Sequence, residues 1–473
     1  MSQPTRVLRC AALLTRQGWL EPAYVTVDAA GLVVAVAAAA PRADAGSPPV
    51  TVEDLGGFVI PGFQNAHSHA FQYAMAGLAE HLPAGAAADD FWSWRDAMYR
   101  LALSLDPEAM EAVAGMLYAE MLRFGITSVA EFHYLHLDPA GKPYADAAEM
   151  GQRLMAAAAT AGIELTLLPV FYQQGGFGQA ASPLQRRFLS RSIDDYARLL
   201  TATRAAAAGV AAADVVVGIA VHSLRAVAPG DVIATLSARD AAFAGPAHIH
   251  VAEQRKEVDD CVAALGQRPV AWLLANTPVD ERLHLVHATH MTDDEAVRLA
   301  ATGAGVVLCP STEGNLGDGF FPLAAYHAAG GRYAIGSDSH IGLSPLEELR
   351  WIDYGQRLRV ERRNVLCKPG EDSGALLIEQ TWRAGRRAMG RPADAYFAPG
   401  SPFDAVVLDP THPTLQGKPA DRRLSAVVYA GDPGLYAGVL RRGRWVVKDQ
   451  RHVRSAALRT AYGRALAGLR TGN

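Results

Sequence analysis

From residue 61 onward the chain alternates short apolar runs with long amphipathic stretches, about eight times over roughly 330 residues. The apolar runs fall at 128–134, 165–171, 215–224, 247–252, 283–288, 305–309 and 333–338. Each is continuously apolar rather than alternating, as a parallel strand buried on both faces must be. The stretches between them carry helix punctuation. Asp106 stands ahead of Pro107 as an N-cap with proline at the first helical position, and Gly125 follows as a stop. Thr292 and Glu295 make a capping box before 296–301, closed by Gly303. This pattern predicts an α/β fold, a (β/α)8 TIM-type barrel. A doubly wound parallel sheet is the alternative.

Both flanks read differently. Residues 24–28 and 32–36 are β-rich and split by Gly31, and 58–60 runs into the turn signal Pro61-Gly62. After 395, β-rich runs return at 404–408, 425–429 and 439–447, with turns at 431–434 and 442–444 and a terminal helix over 455–473. The expectation is one small β-sandwich built from both termini, 1–60 and 395–473, around a barrel over 61–394. The alanine-rich stretches 156–161 and 205–213 read as helix surface. The glycines over 314–319 match neither GxGxxG nor a phosphate-binding loop, and read as a barrel loop.

Charge narrows the partners. A net charge of −4 and a pI near 6.4 give no basic field, which argues against nucleic acid as the main partner. The longest apolar run, after Gly31, ends at Pro41, short of the ~20 residues that span a bilayer. Arg16 interrupts the N-terminal apolar run, so no signal-peptide core is expected. Cys10, Cys261, Cys309 and Cys367 show no CxxC spacing and read as free thiols. A cytoplasmic protein with no membrane partner is expected.

The strand ends carry the chemistry. Asn65-Ala66-His67-Ser68-His69 places two imidazoles at i and i+2, on one side of a strand. Another run ends His248-Ile249-His250-Val251-Ala252-Glu253, another at His287, and another in Gly336-Ser337-Asp338-Ser339-His340. Polar groups ending apolar strands cost several kcal/mol if buried without partners. Two histidines from one strand, one from a distant strand and an aspartate form a nitrogen and oxygen set that suits one divalent ion. Zinc is expected first, with Fe2+ or Mn2+ as alternatives. Such a site leaves room for a water, whose pKa zinc lowers to about 7.

At these residues the sequence resembles the amidohydrolase superfamily, in its aminohydrolase branch. The carriers are PGFQNAHSHA at 61–70, HVAE at 250–253, HAT at 287–289 and SDSH at 337–340. The resemblance implies His67, His69, His250 and Asp338 as metal ligands, with Glu253 and His287 beside the ion. Binuclear members carry a bridging lysine on the fourth strand. No lysine lies between Lys142 and Lys256 here, so one ion per chain is implied.

Further segments are similar to the formimidoylglutamate deiminase family: HAFQ at 69–72, FWSWR at 91–95, EFHY at 131–134, HSLRA at 222–226, AEQRKEVDDC at 252–261 and STEGNLGDG at 311–319. What this implies is metal-dependent hydrolysis of N-formimino-L-glutamate to N-formyl-L-glutamate and ammonia, in histidine degradation. Glu253, His287 and Asp338 would move protons, and Gln72, Arg95, Tyr134, His222 and Arg225 would contact the substrate. Tyr73 departs from the family pattern, where a basic residue is expected, and reads as facing away from the ligand.

The substrate carries two carboxylates, which arginines match in geometry. For Arg95 the alternative is a surface ion pair, and for Tyr134 and His222 a satisfied core position. Gln72 could instead brace a metal ligand. His133, His248, His284, His290 and His340 read as structural, and Phe91-Trp92-Ser93-Trp94 as core. Two alternatives to the deiminase stand: an aminohydrolase of a ring amidine (guanine, adenosine or triazine type), and a metal-free barrel used as a binding scaffold. The expected assembly is a homodimer.

Overall fold

The computed structural model describes residues 6–41, 51–82, 90–210, 215–238 and 245–471. Its centre is a ring of eight parallel strands: β1 (Phe63–Ser68), β2 (Ile126–His133), β3 (Glu164–Phe171), β4 (Ile219–Ser223), β5 (Ala247–Val251), β6 (Leu283–His287), β7 (Gly305–Leu308) and β8 (Arg332–Ile335). Hydrogen bonding follows chain order from β1 to β8. The ring closes just past β8. Asp338 N donates to His67 O and His69 N donates to Asp338 O, both at 3.1 Å. A doubly wound sheet would leave two open edges, so the barrel is the fold. All eight residues of β2, and all eight of β3, are buried, which is why these runs are mainly apolar, and the polar residues in them, such as Glu131 and Glu164, have hydrogen-bond partners.

The predicted run 215–224 is two pieces. Val215–Val217 pairs with the start of β3, and β4 follows after Gly218. A Cβ at Gly218 would lie 2.4 Å from Leu168, so only glycine fits there. The helix punctuation holds. Asp106 accepts from Ala109 N at 2.7 Å, and Thr292 and Glu295 cap each other reciprocally. Gly125 and Gly303 take the left-handed conformation that ends each helix.

Two further sheets flank the ring. One is four-stranded, in the order Val33–Ala37, Ala23–Val27, Arg6–Cys10, Val52–Asp54. The other is seven-stranded and joins the two ends of the chain, because Phe58–Pro61 lies antiparallel to Ala405–Leu408. Their buried residues share one apolar core with the barrel.

Three expectations need correction. Residues 425–429 are not a strand but part of a helix, Arg423–Ala430, whose Leu424, Val427 and Val428 bury one face at helical spacing. The glycine-rich loop is helical in its first half, Pro310–Leu316, with Gly317 as its left-handed cap. The 156–161 alanines are not all surface. Ala157, Ala158 and Ala161 are buried on the inner side of Glu149–Ala161. Of the second alanine stretch, residues up to 208 form the end of Ile193–Ala208, and 211–213 lie outside the described residues. No described helix is long and apolar enough to cross a membrane.

Candidate active site

The strand ends turn sharply where the polar residues stand. Ala252, His287, Ala288, Asp338 and His340 all have φ between 46° and 64°, a region that non-glycine residues rarely adopt. Such strain persists where the surrounding structure holds it, and it clusters at functional sites. Here it aims Glu253, His287 and Asp338 into one cleft at the C-terminal mouth of the barrel.

His67, His69, His250 and Asp338 converge. His69 Nδ1 donates to Phe132 O at 2.9 Å, and His250 Nδ1 donates to His222 O at 3.1 Å. A carbonyl only accepts, so both protons sit on Nδ1 and both Nε2 lone pairs face inward. His67 Nε2 lies 3.1 Å from His69 Nε2 and 3.0 Å from His250 Nε2. Asp338 Oδ1 is 3.2 Å from His69 Nε2 and 3.5 Å from His67 Nε2. Three acceptors, His69 Nε2, His250 Nε2 and Asp338 Oδ1, thus crowd around His67 Nε2, where a single N–H could serve only one of them, and the rest repel unless a positive charge lies among them. Protonation is not the remedy: burial holds His67 down to about 3 and His250 well below the ordinary histidine range. Burial opposes the ionisation of Asp338, but the His67 and His69 imidazoles hold it well below the usual carboxylate range. Three imidazoles and one carboxylate fit a divalent transition ion.

His287 lies on the opposite side of this cluster. Its Nδ1 donates to Glu313 Oε1 at 3.2 Å. Its Nε2 is 3.7 Å from Glu253 Oε1 and 3.8 Å from Asp338 Oδ2. Burial opposes its charge, yet Glu253, Glu313 and Asp338 together push its pKa up to about 10. Glu253 Oε2 is 3.4 Å from Arg225 Nη2. Arg225 Nη1 donates to Glu257 Oε2 at 3.2 Å, and Glu257 also accepts from the backbone N of Ala252 and Glu253. Sequence reasoning assigned nothing to Glu257 or Glu313. Both stood within motifs it had quoted, and Glu257 is one helical turn beyond Glu253.

All five expected substrate contacts line the same cleft. Gln72 Nε2 donates to Tyr134 Oη at 2.8 Å, while the buried Gln72 Oε1 has no partner. His222 Nδ1 is 3.1 Å from Ser223 Oγ. Arg95 comes from the helix Phe91–Ser104 and packs over the Trp92 ring at 4.4 Å. Unlike Arg225, it has no carboxylate partner among the described residues, and its buried Nε has no hydrogen bond. The reading of 91–94 as core holds for the buried Phe91 and for Trp94, which packs against the apolar core, and both also line the cleft.

The remaining histidines are structural where their partners are described. His248 Nε2 donates to Ala388 O at 2.7 Å, and His340 lies between Ser337 and Ser68. Tyr73 does face away, stacked on Tyr462.

With fold and site in place, comparison identifies the class: this chain is a hydrolase that belongs to the amidohydrolase family, whose profile matches residues 58–446. It is similar to formimidoylglutamate deiminase of Pseudomonas aeruginosa, 46% identical over 93% of this chain and 94% of the relative. A crystal structure of an amidohydrolase from Brucella melitensis superposes with a TM-score of 0.89 at 42% identity, covering 98% of this chain and 99% of that one. An adenosine deaminase from Xanthomonas campestris, solved with bound zinc, shares the fold with a TM-score of 0.79 at 24% identity, over the full length of both chains.

Proposed function

We propose that this chain hydrolyses N-formimino-L-glutamate to N-formyl-L-glutamate and ammonia. The observation that carries the reading is the cleft wall: Arg95, a cation without an acidic partner among the described residues, faces the same space as His69, His250 and Asp338. The name of the 46%-identical relative supports it. A ring amidine would leave Arg95 with no anion to meet.

His67, His69, His250 and Asp338 would hold one divalent ion per chain, with zinc first. Bound there, it supplies Lewis acidity and lowers the pKa of water. Asp338 and His287 face that position from two sides: the ionised Asp338 takes up the proton that water gives as it adds to the formimino carbon, and His287, already charged, donates toward the same oxygen. Glu253, between His287 and Arg225, carries a proton to the departing nitrogen. Arg95 and Arg225 hold the carboxylates, with Gln72, Tyr134 and His222 as neutral contacts. Fixing both ends of the substrate places its reacting carbon.

A homodimer in the cytoplasm is part of the reading. Four unpaired cysteines fit a reducing compartment. Exposed Trp351, Tyr354 and Leu358 on the helix Pro345–Val360 fit a subunit interface. The test is ammonia release from formiminoglutamate against guanine. Turnover of guanine with none of formiminoglutamate would overturn the reading.

A further inference from the structure

Tyr99, on the helix Phe91–Ser104, and Tyr172, just past β3, both line the cleft. Their hydroxyl oxygens are 3.3 Å apart. Gln185 lies behind them, and its orientation is fixed. The backbone N–H of Ser182 can only donate, and it reaches Gln185 Oε1 at 2.8 Å. The amide NH2 therefore faces the tyrosines. It donates to Tyr172 Oη at 2.6 Å and to Tyr99 Oη at 3.2 Å.

Hydrogens can then be counted. Each hydroxyl already accepts one from Gln185, and each owns one hydrogen. One of the two can bridge the tyrosines. The other finds no acceptor among the described residues. The cations that bear on Tyr172, Arg225 and Arg95, are donors only. Arg95 lies 5.3 Å from the centre of the Tyr99 ring. This corner of the cleft therefore offers an unclaimed hydrogen beside positive charge. Its complement is a ligand group with only acceptors.

We infer that the Tyr99–Tyr172 pair, oriented by Gln185, donates its unclaimed hydrogen to a substrate carboxylate beside Arg95 and so helps set specificity for the dicarboxylate. The inference rests on the deiminase reading and adds three residues to it. It also makes an unusual demand on mutants. Removing either hydroxyl alone frees the remaining hydrogen from bridging, so one donor is still available. Removing both leaves none.

Steady-state kinetics on the metal-loaded enzyme test this. Tyr99→Phe and Tyr172→Phe should each change KM for formiminoglutamate by less than about threefold, because a charged hydrogen bond persists in both. The double variant should raise KM by about 10- to 100-fold with kcat little changed. Gln185→Glu keeps both tyrosines but turns the donor into an acceptor for both hydroxyls, and should match the double variant. Two further substrates locate the effect: N-formimino-L-glutamine, which lacks the side-chain carboxylate, and 4-formimidoylaminobutyrate, which lacks the α-carboxylate. On one of them the double-variant penalty should vanish. Equal and additive losses in the single variants, or one penalty on all three substrates, would overturn the inference. Should wild type release no ammonia at all, the deiminase reading fails separately. Calorimetric binding of glutarate then decides the corner: at least tenfold weaker binding by the double variant sustains it, and equal binding overturns it.

Discussion

Arg95 and Arg225 share a cleft, but they are tied into the protein differently. Arg225 is buried between Glu253 and Glu257. Removing one member of such a buried set leaves carboxylates without their cation, at about 2–5 kcal/mol. Arg225→Ala should therefore lower both kcat and the melting temperature, read by assay and calorimetry. Arg95 balances no acidic side chain, so Arg95→Ala should raise KM and leave the melting temperature within a degree or two. An equal thermal loss in both variants would contradict this distinction. Glu253→Gln should keep the metal by elemental analysis yet lose about 10²–10⁴-fold in kcat, the usual weight of a proton-transfer group. Near wild-type turnover would remove Glu253 from the proton path. The sequence placed both arginines near the cleft, Arg225 just past a barrel strand and Arg95 in the segment after the first strand. It could not separate them, because the difference lies in Glu257, whose approach depends on how the chain turns after β5.

At the scale of elements, legibility followed the strength of the local signal. Barrel strands were readable because burial on both faces leaves mostly apolar residues, and helix ends because caps use few residue types. Thr292→Ala should remove one half of a reciprocal cap and cost about 1 kcal/mol. Thr292→Ser should keep it, and urea midpoints compare the two. The helix Arg423–Ala430 was misread because Val427 and Val428 favour strands, while the burial of Leu424 with them is what decides. The helix Pro310–Leu316 was hidden by Gly314 and the glycines beyond it, yet its Glu313 fixes the His287 ring. Metal-ligand candidates were legible for a simpler reason: a histidine at the end of a buried strand has little else to do. The tyrosine pair was not, since Gln185 is far along the chain from both Tyr99 and the β1 motifs.

For the whole molecule, burial of neutral histidines is one part of how the fold responds to acid, opposed by buried carboxyls such as Glu131 and Glu348, which burial raises to about 7 and about 8. His136 and His248 lie outside the metal-ligand cluster, and burial lowers each from 6.5 to about 4. In the unfolded chain they take up protons near 6.5. Between the two values the unfolded state binds more protons, so stability rises with pH across that window. Their contribution is full above 6.5 and is lost as pH falls through about 4. Each adds a slope of up to about 1.4 kcal/mol per pH unit. His67 and His340, lowered to about 3, add to it once the ion is removed. In chelated protein this histidine part of the stability should therefore fall from pH 7 to pH 4. Metal-loaded protein should be more stable at neutral pH by an amount that grows with free ion concentration. His248→Gln keeps a donor for Ala388 O and removes the titrating group, so its slope should fall by about one proton. An unchanged slope in that variant would mean that His248 is already charged in the fold, contrary to its place among apolar strands at the bottom of the barrel.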